Sequence, residues 1–338
     1  MTIDNVSFII IALNEEYAIQ KCLSAISRMP LKNCEVLCVD SGSSDNTLEG
    51  MLSFKDNIHN FQIYQLRGDV NAAIARNVGI KNAHKKYIFF LDGDTEVEHD
   101  FICSAISKME KKGYAAIAGD LVEYQYSSAY KRVLRRIESR FSILEEKDIY
   151  FSGGNFIAKR DVIDDIGLFN ENLIRNQDYD YTLRLSSKYK MGAIPYIMCI
   201  HHTIPYDDKN RIREAILNKY GLYIGRTLKN NIRSNVKGVL SALRAQAGHT
   251  FGVFFYLLSS LIIVLLKTTL MLLIPAIFIA DIMYGMIRKK NIYHRLVLHY
   301  IEPLFLIKGF LFFKSKKCHY KVMKVYPDET FQQLSKNC

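Results

Sequence analysis

Lys86-Tyr87-Ile88-Phe89-Phe90-Leu91-Asp92-Gly93-Asp94 is an apolar run that ends in two carboxylates separated by one glycine. Tyr87 to Leu91 is β-branched or aromatic except for Leu91, the composition of a strand buried on both faces of a parallel sheet. Asp92 and Asp94 then emerge at its carboxyl end, the edge where open α/β sheets hold ligands. Closely spaced carboxylates repel unless a cation lies between them, and oxygen-only ligands favour a hard divalent ion such as Mg2+ or Mn2+. Held by few protein ligands, such an ion can bridge a diphosphate. Taken alone, Asp-Gly-Asp is more often a plain turn after a strand, so its surroundings have to decide.

Working outward, strand-like runs at Val6 to Ala12, Glu35 to Val39, Phe61 to Gln65, Tyr87 to Leu91 and Ala115 to Ala118 alternate with helical periods. Those periods cover Glu15 to Ile26, Asn46 to Phe54, Ala72 to Asn82 and Asp100 to Lys111. The βαβα order predicts an α/β fold, a mostly parallel open sheet with helices on both faces. Asn14-Glu15-Glu16, the Asp40 to Thr47 loop and Asp92-Gly93-Asp94 all follow strands, so they can meet at one edge. Asn14 also reads as a helix cap, and Asn46 with Glu49 has capping-box spacing. Asp40, at a strand end before a flexible Gly-Ser loop, suits hydrogen bonds from a nucleobase or ribose.

The chain has 338 residues, 49% of them hydrophobic, and a formal charge of +11. That is enough for a domain of about 200 to 250 residues and a separate tail. Basic residues crowd Lys131 to Arg140, Lys209 to Arg244 and Arg288 to Lys324. Their neighbourhood to an apolar tract favours an anionic membrane surface over nucleic acid as partner. Seven cysteines include no Cys-x-x-Cys pair, and Cys22, Cys34, Cys38, Cys103 and Cys199 sit in apolar patterns, as small core residues in a reducing compartment do. Asp4 precedes the first apolar run without a basic leader, which predicts a catalytic part on the cytosolic face of the cytoplasmic membrane.

Val6 to Ile10 leading to Asn14-Glu15, Asp40 to Thr47, Ala75-Arg76-Asn77-Val78-Gly79-Ile80 and Asp92-Gly93-Asp94, in that order, resemble the family 2 glycosyltransferases of GT-A fold over roughly residues 5 to 205. The resemblance implies a nucleotide-sugar donor, UDP-, dTDP- or GDP-linked. It puts Asn14, Glu15, Asp40, Arg76 and Asp92 on the donor side, with Asp40 at the nucleoside and Arg76 near base or diphosphate. Asp94 is the implied metal ligand, Asp92 supporting the ribose or the metal's water shell. From the residues alone, Arg76 is also readable as a solvent-facing helix arginine.

Further on, Ser152-Gly153-Gly154-Asn155-Phe156 offers, at Gly153 and Gly154, a backbone that an acceptor can approach closely. Asn176-Gln177-Asp178 resembles the family's acidic motif at the start of a helix, with Gln177 where that motif usually carries Glu. The resemblance makes Asp178 the general base, and Gln177 removes one negative charge that would raise its pKa. Tyr179 and Asp180 would turn away from the cleft. Ile194 to Ile200 reads as a strand ending in His201-His202, and the resemblance places one of the two near the metal and diphosphate.

Phe251 to Ile287 is apolar apart from Lys267 and Asp281, with basic residues on both sides. The positive-inside tendency favours a hairpin or shallow re-entrant segment over a single crossing, while a buried soluble helical pair is the bland alternative. Leu296 to Phe313 suits the interface. Tyr130 to Glu146 carries Val133, Leu134, Ile137, Phe141 and Leu144 at helical spacing among five basic residues. This predicts a basic helix, solvated or facing a lipid diphosphate. Four regions result: a catalytic domain 1–207, a basic helical linker 208–250, a membrane segment 251–287 and a basic, partly interfacial tail 288–338. The expected activity is inverting, metal-dependent transfer of a sugar to a lipid-linked glycan or surface polysaccharide precursor. Direct transfer to a polyprenyl phosphate is the runner-up. A nucleotidyltransferase and a non-catalytic membrane protein remain as other classes.

Overall fold

The computed structural model describes residues 2–127, 130–245 and 301–327, with Ile279 and Met283. It comprises two units, Met1–Ile204 with Ser315–Cys338, and Pro205–Lys314.

In the first unit, β1 (Ile3–Asp4) pairs with β3 (Leu31–Lys32) in a small sheet of their own. The core of the main sheet is β2 (Val6–Ala12), β4 (Glu35–Asp40), β5 (Phe61–Gly68) and β6 (Tyr87–Asp92), all parallel. β2, β4 and β6 read as nearly continuous apolar runs because each is covered twice. Phe8, Ile10, Val36, Cys38, Phe89 and Leu91 join one hydrophobic cluster, with α1 (Ile19–Ser27), α2 (Thr47–Leu52) and α4 (His99–Lys112). Ile9, Ile11, Leu37, Val39, Ile88 and Phe90 join the opposite cluster, with α3 (Ala72–Asn82), α5 (Arg160–Ile166) and α6 (Gln177–Ser186). The expected α/β sheet with helices on both faces is what forms.

Beyond β6 the sheet is mixed. The short β11 (Phe156–Lys159) runs antiparallel between β6 and β8 (Ala116–Tyr126). The long β12 (Met191–Thr203) then lies parallel to β8, and β7 (Thr95–Val97) and β10 (Lys147–Ile149) pair antiparallel with it. A strand over Tyr87 to Leu91 followed by one at Ala115 thus does not make neighbours, because β11 enters between them.

Two expectations need correction and one needs an addition. Tyr130 to Glu146 is not a helix: β9 (Val133–Ile137) pairs antiparallel with β8, and a loop follows. Its apolar residues meet helical spacing, yet Val133, Leu134, Phe141 and Leu144 are exposed, so no core selects a helix. The tail from 288, expected to be basic and partly interfacial, also holds a strand not expected from the sequence. β13 (Tyr320–Tyr326) extends the sheet antiparallel to β5, with Val322 buried opposite Leu66. Neither Asn14 nor Asn46 caps a helix through its side chain: α1 begins at Ile19, and the Asn46 side chain donates instead to Glu16 Oε2 at 3.0 Å.

The second unit contains α7 (Lys209–Leu217), α8 (Gly221–Asn231) and α9 (Glu302–Phe312), with α8 packed along α9. The expected membrane segment 251–287 lies outside the described residues save Ile279 and Met283. Among the described residues no helix is long and apolar enough to cross a membrane. Cys22, Cys34, Cys38 and Cys199 are buried free thiols, with Cys103 and Cys318 partly so.

Candidate active site

The carboxyl ends of β2, β4 and β6 bring three loops together, and the first two are stitched to each other. The Asn14 amide donates to Ser43 Oγ at 2.9 Å and its side-chain oxygen accepts from the Ser44 amide at 2.8 Å. The Glu15 amide donates to Thr47 Oγ1 at 2.8 Å. Asp40 is fully buried at the end of β4. Its Oδ1 accepts from the Ser43 hydroxyl at 2.5 Å and its Oδ2 from Gln65 Nε2 at 3.0 Å. Gln65, on the neighbouring β5, has no local sequence signal; only the strand register sets it beside Asp40.

At the end of β6, Asp92 and Asp94 diverge. The Asp92 amide donates to Asn155 Oδ1 at 2.8 Å, while its Oδ1 accepts from Arg76 at 2.6 Å. Arg76 is no solvent-facing residue: it is 2% exposed, and its guanidinium lies over the Phe169 ring, with Nε and Nη1 buried and unpaired. Gly93 lets this turn press against β2, where a Cβ would come within 2.8 Å of the Ala12 side chain. Asp94 Oδ2 lies 3.1 Å from His201 Nε2, whereas its Oδ1 is buried without a partner.

Strand alternation separates the two histidines. His201 sits between Asp94 and Glu123, whose Oε2 is 3.4 Å from His201 Nδ1 and also 3.4 Å from Arg140. His202 points to the other face, 2.6 Å from Glu96 and 2.8 Å from the Tyr126 hydroxyl, and burial lowers its pKa. Burial alone would raise the Glu123 carboxyl, yet hydrogen bonds with His201 and Gln125 and the Arg140 charge hold it down to about 2. Glu123 escaped the sequence because it meets His201 only through β8–β12 pairing.

The acidic edge is electrostatically crowded. Burial, then the nearby charges of Asp94 and Asp92, pushes Glu15 up to about 9, and Glu15 Oε2 is buried without a partner. Burial likewise raises Asp92, against the Arg76 charge. The unpaired oxygens of Glu15 and Asp94 are what a hard cation would complete, so these residues fit a divalent ion. Among the described residues no three His, Cys, Asp or Glu side chains are grouped to hold one alone. The remaining ligands would come from substrate phosphates and water, as Mg2+ commonly takes them.

Across the cleft, Asp178 stands in the first turn of α6, and Ser152-Gly153-Gly154 lies alongside it. The Ser152 amide donates to Thr182 Oγ1 at 3.1 Å, and that hydroxyl donates to the Asp178 carbonyl at 2.8 Å. Gly154 has no room for a side chain: a Cβ there would fall 2.3 Å from Arg76 Nη2 and 2.5 Å from Asp92 Oδ2. A Cβ at Gly153 would lie 3.9 Å from Asp178 Oδ2. The glycines thus let one backbone strand lie among Arg76, Asp92 and Asp178. Burial raises the Asp178 pKa, partly offset by the Arg76 charge. Gln177 is itself buried, its Oε1 unpaired. Asp180 turns away to pair with Arg184 at 3.1 Å.

Residues 7–167 match the model described as Glycosyl transferase family 2. The chain is 30% identical over 215 residues to glycosyltransferase AglE of Haloferax volcanii, across 61% of this chain and 70% of that one. It is 26% identical over 234 residues to a poly-beta-1,6-N-acetyl-D-glucosamine synthase of Staphylococcus epidermidis, across 63% of this chain but 54% of the synthase. The fold is similar to mannosyltransferase PcManGT of Pyrobaculum calidifontis, solved with GDP-Man and Mn2+. There the TM-score is 0.61 at 14% identity, over 89% of this chain and 87% of that one. It also resembles S. aureus TarS 1–349, with a TM-score of 0.51 at 15% identity over 72% and 74% of the two chains. The chain belongs to glycosyl transferase family 2, and it is a glycosyltransferase.

Proposed function

We propose that this enzyme is a metal-dependent, inverting glycosyltransferase that moves a sugar from a nucleotide-sugar donor to a hydroxyl of a lipid-linked glycan or surface polysaccharide precursor. We place it at the cytosolic face of the cytoplasmic membrane. One observation carries the reading: a carboxylate in a first helical turn, Asp178, faces the Asp92–Asp94 edge across a two-glycine backbone. A relative named as a poly-beta-1,6-N-acetyl-D-glucosamine synthase and a fold neighbour solved with GDP-Man and Mn2+ support it. Exposed Leu304, Ile307 and Leu311 on α9 support attachment to a membrane.

In this reading Asn14, Glu15, Asp40, Arg76 and Asp92 form the donor side. Asp94, with Asp92 or Glu15 beside it and His201 behind it, would hold the ion. When bound, a divalent ion neutralises charge on the departing nucleoside diphosphate. Asp178 accepts the proton of the acceptor hydroxyl as that oxygen attacks the anomeric carbon from the face opposite the leaving group, through an oxocarbenium-like state. The backbone at Gly153 and Gly154 lets the acceptor approach Asp178, and holding both substrates in line provides much of the acceleration.

Asp178→Asn keeps the shape and removes the base. Donor affinity, measured by equilibrium titration, is expected to survive, while transfer, measured as released nucleoside diphosphate, falls by about 100- to 10,000-fold. Lost donor binding with unchanged transfer would instead put Asp178 in the nucleotide site.

A further inference from the structure

β9 and the loop after it form a surface that the reaction does not use. Lys131 and Arg132, just before the strand, and Arg135 and Arg136 within it are exposed, as are Val133 (46% exposed) and Leu134 (55%). Phe141 (54%) and Leu144 (89%) follow. Among the described residues no carboxylate pairs with Lys131, Arg132 or Arg135, while Arg136 meets Glu138 at 3.0 Å.

Basic residues on an edge strand are a common guard against strand-to-strand aggregation. That explains the basic residues but not the exposed Phe141 and Leu144, which lie beyond the strand. Their backbone is held in place: Asp120, buried on β8, accepts from the Phe141 amide at 2.8 Å and the Ile143 amide at 2.9 Å, and also from the Ser139 hydroxyl. Burial would raise this carboxyl, but these bonds keep it below the ordinary carboxylate range. Arg140 adds its amide bond to the Leu121 carbonyl at 2.8 Å and its ion pair with Glu123. A buried anion therefore fixes a loop that presents Phe141 and Leu144 outward. Ordered apolar side chains amid unpaired cations match the two components of an anionic bilayer surface, headgroup charge and acyl chain.

We infer that the β9 strand and the 139–144 loop dock on an anionic lipid bilayer, Phe141 and Leu144 entering the interface and Lys131, Arg132 and Arg135 meeting the phosphates. Through Arg140 and Glu123 this docking surface is joined to His201 and Asp94. It rests on the proposed membrane attachment only in that the protein must be at a bilayer.

The chain contains no tryptophan, so Leu144→Trp gives a single local reporter at a site too exposed to disturb the fold. The full-length variant is reconstituted with vesicles of phosphatidylglycerol and phosphatidylcholine, or of phosphatidylcholine alone. Flotation reads attachment of the whole protein, and quenching by brominated acyl chains reads the loop. Blue-shifted, quenched emission is expected on the anionic vesicles alone. Arg132→Gln with Arg135→Gln should lower the ratio of docked to free loop by about 25-fold, flotation unchanged. Trp emission that is unshifted and unquenched while the protein floats would overturn the docking and leave membrane attachment standing. Equal quenching on both vesicle types would overturn the anionic preference. A shift produced by inositol hexakisphosphate without quenching by brominated lipid would overturn it in favour of a soluble phosphorylated ligand. Failure of the protein to float would fail the attachment reading, and the docking with it.

Discussion

Glu15 and Asp94 each bury a carboxylate oxygen without a partner, and the crowding of acidic groups around them has a thermodynamic consequence. The Glu15 carboxyl, ordinarily near 4.5, is pushed up to about 9 in the folded chain. The folded state then holds a proton that the unfolded state releases, so this contribution to stability is complete below about 4.5 and is lost as pH rises through about 9. In chelator, the melting temperature of the wild type should fall between pH 5.5 and 9 more steeply than that of Glu15→Gln. Parallel curves for the two proteins would place the ionisation on another group. Asp92, Asp94 and Asp178 were legible because each marks the junction of a patterned element with a polar loop. Gln65, Glu123 and Asn155 were not, since each gains its partner only when strands distant in sequence pair. The choice between His201 and His202 was likewise a matter of strand alternation, which sends one to Asp94 and the other to Glu96.

At the scale of elements, a strand declares itself when both its faces are buried, as β2, β4 and β6 do. β9 and β13 were misread for opposite reasons. Residues 130–146 satisfy a helical period by coincidence, their apolar side chains being exposed, whereas Tyr-Lys-Val-Met-Lys-Val-Tyr at 320–326 did carry a strand signal in its β-branched and aromatic residues. Its basic residues drew it to the membrane. Because Val322 packs into the core beside Leu66 on β5, Val322→Asp buries an unpaired charge. A loss of about 3 kcal/mol is expected in denaturant unfolding of the catalytic unit. Unchanged stability would show that β13 is merely laid along the edge.

At the scale of the molecule, the catalytic unit is discontinuous: Pro205–Lys314 interrupts it, and the chain returns at Ser315 to complete the sheet. The sequence reading sets the first boundary at 207, and the first stretch of the unit ends at Ile204. The return was hidden, because it depends on a pairing between β5 and β13 across some 250 residues of sequence. Family membership follows from ordered motifs within that first stretch, while donor, ion and acceptor are matters of the site. Whether Asp94 holds a divalent ion against a donor diphosphate is tested most directly by calorimetric titration of the full-length protein with UDP-, dTDP- and GDP-sugars. Each titration is run in Mn2+ and in chelator, for wild type and Asp94→Ala. One donor class should bind in Mn2+, about 100-fold or more weakly in chelator, with Asp94→Ala reduced to that chelator level and its circular dichroism unchanged. Equal donor affinity with and without the ion, or a folded Asp94→Ala protein that retains metal-dependent binding, would contradict the assignment.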